Sequence, residues 1–242
     1  MRKILLSIFL ILIFLCSTAM GETAADWHDK AHALWDGEKY NDPKKAIEYL
    51  SNAIKLLPDD AKAYSDRGNA YNKLGQHQRA IKDYNKAILL KPNFAVFYCN
   101  RGITYGKLGQ HQRAIEDFNK AISLKQNDAD IYYNRGIIYG KLGQHQRAIE
   151  DFDKAISLKQ DDADLYYNRG IAYDNLSQYQ PAIEDYNKAI RLKTDYTDAY
   201  NNRGIAYLSQ GNNELGCPDA QKACELGNCK LLEFAKGKGD CH

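Results

Sequence analysis

The feature that most constrains this chain is a sequence repeat with a period of 34 residues. An Arg-Gly dipeptide marks the period, and it recurs at Arg67-Gly68, Arg101-Gly102, Arg135-Gly136, Arg169-Gly170 and Arg203-Gly204. A column of tyrosines keeps the same spacing, at Tyr71, Tyr105, Tyr139, Tyr173 and Tyr207. A fixed period of roughly 20 to 50 residues predicts a solenoid, in which each unit buries its apolar face against its neighbours.

Within one unit, the small and apolar residues have helical spacing. In both 62–74 and 78–90 they follow the i, i+3, i+4, i+7 pattern of one helix face. Gly75 lies just after the first of these segments, where a helix commonly ends on a left-handed residue. Each unit is therefore predicted to be two antiparallel helices joined by a tight turn.

This arrangement closely resembles the tetratricopeptide repeat family, whose 34-residue helix-turn-helix unit has the same spacing of Gly, Tyr, Leu-Gly, Ala and aromatic residues. The resemblance implies an all-α fold, an α-solenoid in the form of a right-handed superhelix of about six helix-turn-helix units. The four regular units are 61–94, 95–128, 129–162 and 163–196. A weaker copy at 197–230 carries Gly216 and Ala220 where Ala and an aromatic residue are expected, and a degenerate first copy covers about 27–60.

The predicted organisation has five parts. They are a signal peptide at 1–21, an N-terminal degenerate repeat or cap at 22–60, four regular units at 61–196, a degenerate fifth unit at 197–230 and a cysteine-rich C-terminal cap at 229–242.

The resemblance implies that a peptide or protein segment binds along the concave groove lined by the first helix of each repeat. Residues at matching positions of these helices provide tyrosines, isoleucines and a ladder of asparagines, which suit an extended or helical segment with apolar anchors. The candidate groove residues are Asn69, Asn100, Ile103, Tyr133, Asn134, Ile137, Tyr167, Asn168, Ile171 and Asn202. The alternative is architectural, with the isoleucines packing against the next repeat and the asparagines satisfying buried carbonyls.

One binding mode of the family is disfavoured here. The carboxylate clamp of chaperone-associated members needs Lys and Asn in one repeat, Asn in the next, and Lys and Arg in a third. Asn69 and Asn100 match, but Ser65 replaces the first lysine, and Tyr133 and Ile137 replace the last two residues. Without these cations, a C-terminal carboxylate loses its charge-assisted hydrogen bonds.

Two further columns carry charge or imidazole. The arginines of the Arg-Gly pairs have a matching acid column at Asp83, Asp117, Asp151 and Asp185, which predicts interhelical ion pairs. His77, His111 and His145 also recur with the period and are predicted to be solvated at the start of each second helix. Successive repeats stack roughly 10 Å apart, too far for one metal ion to bridge these histidines.

The first residues are typical of a secretory signal peptide. Arg2 and Lys3 precede an apolar run over 4–15, and a small and polar stretch follows, so the mature chain is predicted to begin near Glu22. The expected location is periplasmic or secreted, without membrane insertion after cleavage. Two alternatives are an uncleaved membrane anchor, although the run is shorter than the ~20 residues of a spanning helix, and a lipoprotein lipidated at Cys16.

Four cysteines lie close together at the C-terminal end: Cys217, Cys224, Cys229 and Cys241. An even, clustered set in an exported chain predicts disulfides, while the absence of any C-x-x-C disfavours zinc and a redox centre. If a returning helix begins near Lys230, the nested pairing Cys217–Cys241 with Cys224–Cys229 fits best, and would staple the end of the stack. Cys99 remains as a packed thiol.

Charge and motifs narrow the function. The chain has 33 basic and 31 acidic residues, and Arg2 and Lys3 supply the whole excess. A neutral chain without like-charge blocks disfavours nucleic-acid binding and a polybasic membrane patch. Nucleophile-elbow, P-loop, zinc-protease and dinucleotide motifs are absent, so we expect no enzyme activity and no cofactor.

The resulting prediction is an extracytoplasmic scaffold that binds a protein or peptide partner. The alternative is a thiol- or metal-binding module centred on the four C-terminal cysteines. A third hypothesis is a stress-linked repeat protein whose partners are enzymes.

Overall fold

A computed structural model describes residues 22–37 and 39–241. The predicted signal peptide, including Cys16, lies outside the described residues. Within them the fold is all-α, with thirteen helices and a single isolated β-bridge between Trp35 and Tyr40. None of the described helices combines the length and apolar character needed to cross a bilayer.

The chain divides into two compact units, one ending at Asn93 and the other beginning at Phe94. The first unit contains α1 (Ala24–His32), α2 (Pro43–Leu56), α3 (Ala61–Lys73) and α4 (His77–Leu90). The second contains α5 (Ala95–Lys107), α6 (His111–Leu124), α7 (Ala129–Lys141), α8 (His145–Leu158), α9 (Ala163–Asn175), α10 (Tyr179–Leu192), α11 (Thr197–Ser209), α12 (Asn213–Glu225) and α13 (Lys230–Lys238).

Consecutive helices pair as the repeat predicts. The two helices of each repeat pack against each other, and within each unit the second helix also packs against the first helix of the following repeat. In the five repeats from residue 61 onward, a left-handed residue follows the end of the first helix, with φ of 72° at Gly75. Ser177 takes the same conformation at φ 57°, although a side chain disfavours it.

An aromatic ring on the second helix of each regular repeat packs against a glycine on the first helix. A Cβ added at Gly136 would lie 2.8 Å from Phe152 Cε1, so only glycine permits this approach of α7 and α8. Phe152 is 2% exposed, and Ala148 and Ala155 beside it are fully buried. These contacts form the core of the repeat.

Buried arginine–aspartate pairs hold the repeats together, as the sequence predicts. In the repeat at 129–162, Arg135 Nε and Nη2 donate to the two carboxylate oxygens of Asp151 at 2.8 and 2.6 Å, and Nη1 donates to Asn119 of the preceding repeat at 2.5 Å. One guanidinium thus joins three helices. Equivalent bidentate pairs are Arg67–Asp83, Arg101–Asp117, Arg169–Asp185 and Arg203–Asp219.

The last helix completes the degenerate fifth repeat. Ala220 occupies the position of the aromatic ring, and Leu231 of α13 fills that space, 2.9 Å from a Cβ added at Gly204. Leu231 is 8% exposed, so α13 supplies the apolar group that the repeat lacks. Gly216 in turn accommodates Leu208, whose Cγ would lie 2.6 Å from an added Cβ.

The four C-terminal cysteines are joined in the nested arrangement expected from the sequence. Cys217 of α12 is bonded to Cys241 after α13, with their Cα atoms 5.6 Å apart. Cys224 is bonded to Cys229 across the turn between the two helices, with Cα atoms 3.9 Å apart. The formation of these bridges in the exported protein stays a prediction that unreduced mass spectrometry tests.

Candidate peptide-binding face

The first helices of the second unit form one continuous face. α5, α7, α9 and α11 contact one another in this order. Nine of the ten candidate groove residues lie on these helices, and each is half-buried: Asn100, Ile103, Tyr133, Asn134, Ile137, Tyr167, Asn168, Ile171 and Asn202. We call this the first-helix face. Asn69 lies on α3 of the first unit, where its Oδ1 accepts a hydrogen bond of 2.8 Å from the Tyr84 hydroxyl.

Asparagine amides of this face bond to tyrosine hydroxyls of the preceding repeat. Asn168 Nδ2 donates to the Tyr133 hydroxyl at 3.3 Å and to the Asp164 carbonyl at 2.8 Å. Asn202 Nδ2 donates to the Tyr167 hydroxyl at 3.1 Å. Burial raises the pKa of Tyr167 to about 12, so its hydroxyl stays protonated at neutral pH. These bonds give the asparagine N–H groups an architectural role.

The amide oxygens of the same ladder are differently placed. Asn134 Nδ2 donates to the Asp130 carbonyl at 2.7 Å, and within the described chain no donor reaches Oδ1 of Asn134 or of Asn168. An amide oxygen accepts up to two hydrogen bonds. The amide oxygens of Asn134 and Asn168 therefore offer a bound segment acceptors for its backbone N–H groups.

The two predicted groove tyrosines pack within the protein as well as lining its surface. The Tyr133 ring centroid lies 6.0 Å from that of Phe152, and the Tyr167 centroid lies 6.0 Å from that of Tyr186. Tyr196, which the sequence-based selection of groove residues omitted, packs against Tyr167 in a tilted arrangement with ring centroids 4.8 Å apart, and its hydroxyl donates to Asp164 Oδ1 at 2.6 Å. Aspartate occupies the equivalent position in three earlier repeats, at Asp60, Asp128 and Asp162, and this replacement was the only sequence signal for Tyr196.

An apolar cavity of about 260 Å³ opens between α7, α8 and α9. We call it the apolar cavity, and its walls include Ile137, Gly140, Phe152, Ile171 and Ala172, with Asn168 and Asn175 also contributing. Apolar pockets with a few polar groups are typical of ligand sites.

The apolar cavity exists because Ala172 replaces a larger residue. One repeat earlier the same column holds Ile138, which is 4% exposed and whose Cδ1 would lie 2.8 Å from a Cβ added at Gly106. At Gly140, the next glycine of that column, an added Cβ would meet nothing within 4 Å. The chain thus fills this space with its own isoleucine in one repeat and leaves it open in the following one.

A second cavity, of about 350 Å³, lies between α9, α10 and α11. We call it the Asp174 cavity. Its walls are largely polar: Ile171, Asp174, Asn175, Tyr179, Tyr186, Asn202, Ile205 and Ser209. Asp174 Oδ2 accepts a hydrogen bond of 2.9 Å from the Tyr186 hydroxyl, while Oδ1 is buried without a partner. Burial raises the pKa of Asp174, and the hydrogen bond from Tyr186 opposes this shift.

The histidine column differs from the prediction. His77, His111 and His145 begin the second helices, as expected, but they are half-buried, and Nδ1 of both His111 and His145 is buried without a hydrogen-bond partner. The reason lies in the preceding helix. His77 Nδ1 pairs with Asn72 Oδ1 at 2.7 Å, whereas glycines occupy the equivalent positions before the other two histidines. The prediction of solvated histidines is therefore wrong for these two nitrogens.

The described residues contain no group of three or more His, Cys, Asp or Glu side chains placed to hold a metal ion. The Cys99 thiol is free, and burial raises its pKa to about 12, which keeps it protonated and unreactive.

Comparison with known proteins identifies the family. Models described as "Tetratricopeptide repeat" match residues 49–82, 129–162 and 163–196, and one described as "TPR repeat" matches 68–109 and 105–143. Together these matches extend over more than half of the chain. This chain is a tetratricopeptide repeat protein.

Solved tetratricopeptide repeat structures resemble it along most of their own length. A crystal structure of MamA is 31% identical with a TM-score of 0.63, and the match covers 71% of this chain and 96% of MamA. YrrB, described as a TPR protein with an unusual peptide-binding site, is 24% identical with a TM-score of 0.67, covering 79% and 99%. The pilF protein of Pseudomonas aeruginosa is 14% identical with a TM-score of 0.76, covering 88% and 97%. The last two likenesses show the fold alone. The chain matches none of the curated proteins.

Proposed function

We propose that this tetratricopeptide repeat protein is a non-enzymatic, extracytoplasmic scaffold that binds a peptide segment of another protein along the first-helix face. Tetratricopeptide repeat proteins bind protein or peptide partners, and no feature of the described residues points to catalysis. The apolar cavity carries the proposal. It offers space for a side chain beside Asn168, whose amide oxygen has no donor within the described chain.

The occupant of the apolar cavity should be an aliphatic side chain. The chain itself places Ile138 in the equivalent space of the preceding repeat, so a residue of that size and shape fits between the helices. Burying such a side chain contributes roughly 1.5 to 3 kcal/mol. A neighbouring backbone N–H of the segment would then donate to Asn168 Oδ1, which fixes the direction of the bound segment.

Filling the cavity tests this proposal. Peptides that bind the wild-type chain are selected from a random display library, and their affinities for the wild type and for Ala172→Ile are compared. This substitution copies the isoleucine at the equivalent position of the preceding repeat. We expect their affinity to fall at least about tenfold, since the anchor loses its space. The matched control is Ser157→Ile, which adds an isoleucine at an exposed position of α8 and should leave affinity unchanged. Equal binding to both variants would refute the groove assignment.

Export is tested separately. We expect the chain produced in a bacterial host from its full gene to appear in the periplasm or medium, with an N-terminus near Glu22, because residues 1–21 have the pattern of a cleaved signal. N-terminal sequencing of the fractionated protein measures this. A cytosolic product that keeps residues 1–21 would contradict it.

The alternative thiol or metal module gains no support from the cap. All four C-terminal cysteines lie at bonding distance within two pairs, and both pairs connect elements of the last repeat and α13. A structural staple accounts for this arrangement.

A further inference from the structure

Asp174 is half-buried and differs from the buried acids of the repeats. Five buried aspartates each accept two hydrogen bonds from an arginine of their own repeat: Asp83, Asp117, Asp151, Asp185 and Asp219. Asp174 has only the neutral hydroxyl of Tyr186, and within the described chain it forms no ion pair. Its Oδ1 is buried without any partner. A buried carboxylate without a cation is costly, and such groups concentrate at functional sites.

The repeat architecture does not require an acid here. The same column holds Asn72, Gly106, Gly140 and Leu208 in the other units. Nor is the carboxylate needed to pack the aromatic ring, since in the preceding repeat Phe152 packs against Gly136 without any hydroxyl, and Gly140 holds the position equivalent to Asp174. Asp174 and its hydroxyl donor Tyr186 are therefore an addition to the repeat rather than part of its frame.

The groups around Asp174 suit a cation. The Asp174 cavity has hydroxyls from Tyr179 and Ser209 and an amide from Asn175. Asn175 Nδ2 donates to the Ile171 carbonyl at 2.8 Å, which leaves its oxygen as an acceptor. An ammonium group carries three donors and a guanidinium five, and neither accepts a hydrogen bond. The cavity thus supplies the negative charge and the neutral acceptors that a basic side chain needs.

We propose that the Asp174 cavity receives a basic side chain, a lysine ammonium or an arginine guanidinium, from the segment bound on the first-helix face. This inference rests on the proposed function and defines its partner further. Ile171 lines both the apolar cavity and the Asp174 cavity, so the two sites are adjacent. The segment recognised by this chain carries an aliphatic residue close to a basic one.

The first test uses single-residue probes, which need no knowledge of the partner. N-acetyl-lysine methylamide and N-acetyl-arginine methylamide are titrated into the full chain, with N-acetyl-norleucine methylamide as the uncharged analogue. The readouts are the Asp174 carboxyl carbon and the side-chain amide signals of Asn175 and Asn202 by NMR. We expect saturable shifts with the two basic probes, and binding of norleucine at least about tenfold weaker, as expected for loss of a charge-assisted bond.

Substitution of the carboxylate provides the matched comparison. Asp174→Asn keeps an acceptor for the Tyr186 hydroxyl and should lower the affinity for the basic probes about tenfold. Asp195→Asn removes the same charge from an exposed position and should change nothing. If Asp174→Asn fails to fold, the double variant Asp174→Gly with Tyr186→Phe is used in its place. It copies the glycine and phenylalanine found at these positions in the preceding repeat. Equal binding of basic and norleucine probes, or equal binding to wild type and the Asp174 variants, would overturn the inference.

The two proposals fail in different ways. If the selected peptides bind Ala172→Ile more weakly but bind Asp174→Asn as tightly as the wild type, the proposed function is supported and the preference for a basic residue is refuted. If the basic probes require Asp174 but the selected peptides bind Ala172→Ile as tightly as the wild type, the cation site is supported and the proposed groove is refuted.

Discussion

Moving one isoleucine between neighbouring repeats should open a cavity in one repeat and close it in the other. Ile138 is 4% exposed and lies over Gly106, where its replacement by alanine removes the whole side chain beyond Cβ. At about 0.8 kcal/mol per buried CH₂, the lost transfer free energy is about 2.4 kcal/mol. The space left behind adds roughly 1 kcal/mol, so Ile138→Ala should lower the free energy of unfolding by about 3 kcal/mol.

The reverse change, Ala172→Ile, places the same atoms over Gly140, where an added Cβ would meet nothing within 4 Å. The apolar cavity is open on one side, so only part of the transfer free energy is gained. We expect an increase in stability of about 1 kcal/mol. The variant that should weaken peptide binding is thus also expected to be more stable than the wild type.

Urea unfolding followed by circular dichroism measures the change in unfolding free energy of both variants. Because repeat proteins can unfold without full cooperativity, hydrogen exchange is used to assign the changes to α7 and α9. Ile205→Ala is the control. It removes the same atoms from a residue that is 42% exposed, and its effect should stay below about 1 kcal/mol. A loss no larger at Ile138 than at Ile205, or a destabilising Ala172→Ile, would refute the packing difference between the two repeats.

Three other changes have expected outcomes. Ser177→Gly relieves a left-handed residue at φ 57° and should raise unfolding free energy by about 1 kcal/mol in urea; no gain would contradict this. Asp66 Oδ2 lies 2.9 Å from His28 Nε2, and this hydrogen bond raises the pKa of His28 above its ordinary value of about 6.5. The pair should therefore stabilise the fold below that pH and lose its contribution as pH rises through the folded-state pKa. Thermal unfolding across pH should show this in wild type and not in Asp66→Asn. Replacing Cys217 and Cys241 by serine opens a link between residues 24 apart and should lower stability by about 3 kcal/mol while leaving peptide binding intact; unchanged stability would refute the staple.

The fold could be predicted from the sequence because its signals repeat. The 34-residue spacing, the arginine and aspartate columns and the glycine at the turn each occur several times in register, so a single solution satisfies all of them. The described helices begin and end in this register, from Ala61 at the start of α3 to Ser209 at the end of α11.

The candidate site could be predicted only in outline, because it depends on differences between repeats rather than on what they share. The change from Ile138 to Ala172 is an ordinary apolar replacement in sequence, and only the packing against the glycine column reveals that it opens a cavity. Asp174 lies in a column with no consistent residue type, and the lack of a partner for its Oδ1 depends on the packing of neighbouring side chains, which the sequence does not show. Likewise, nothing in the sequence links Leu231 to the aromatic position of the last repeat.

The dependence of the last repeat on Leu231 restricts where this chain can grow. A duplicate of 129–162 inserted after 162 would lie between 129–162 and 163–196, much as 129–162 itself lies between the nearly identical unit 95–128 and 163–196. The same duplicate inserted after residue 228 would separate α13 from Gly204 and leave the space beside Ala220 empty. We therefore expect an added repeat to be tolerated between regular units and to destabilise the fold at the C-terminal end, where Leu231 fills the space that an aromatic ring fills in the regular repeats.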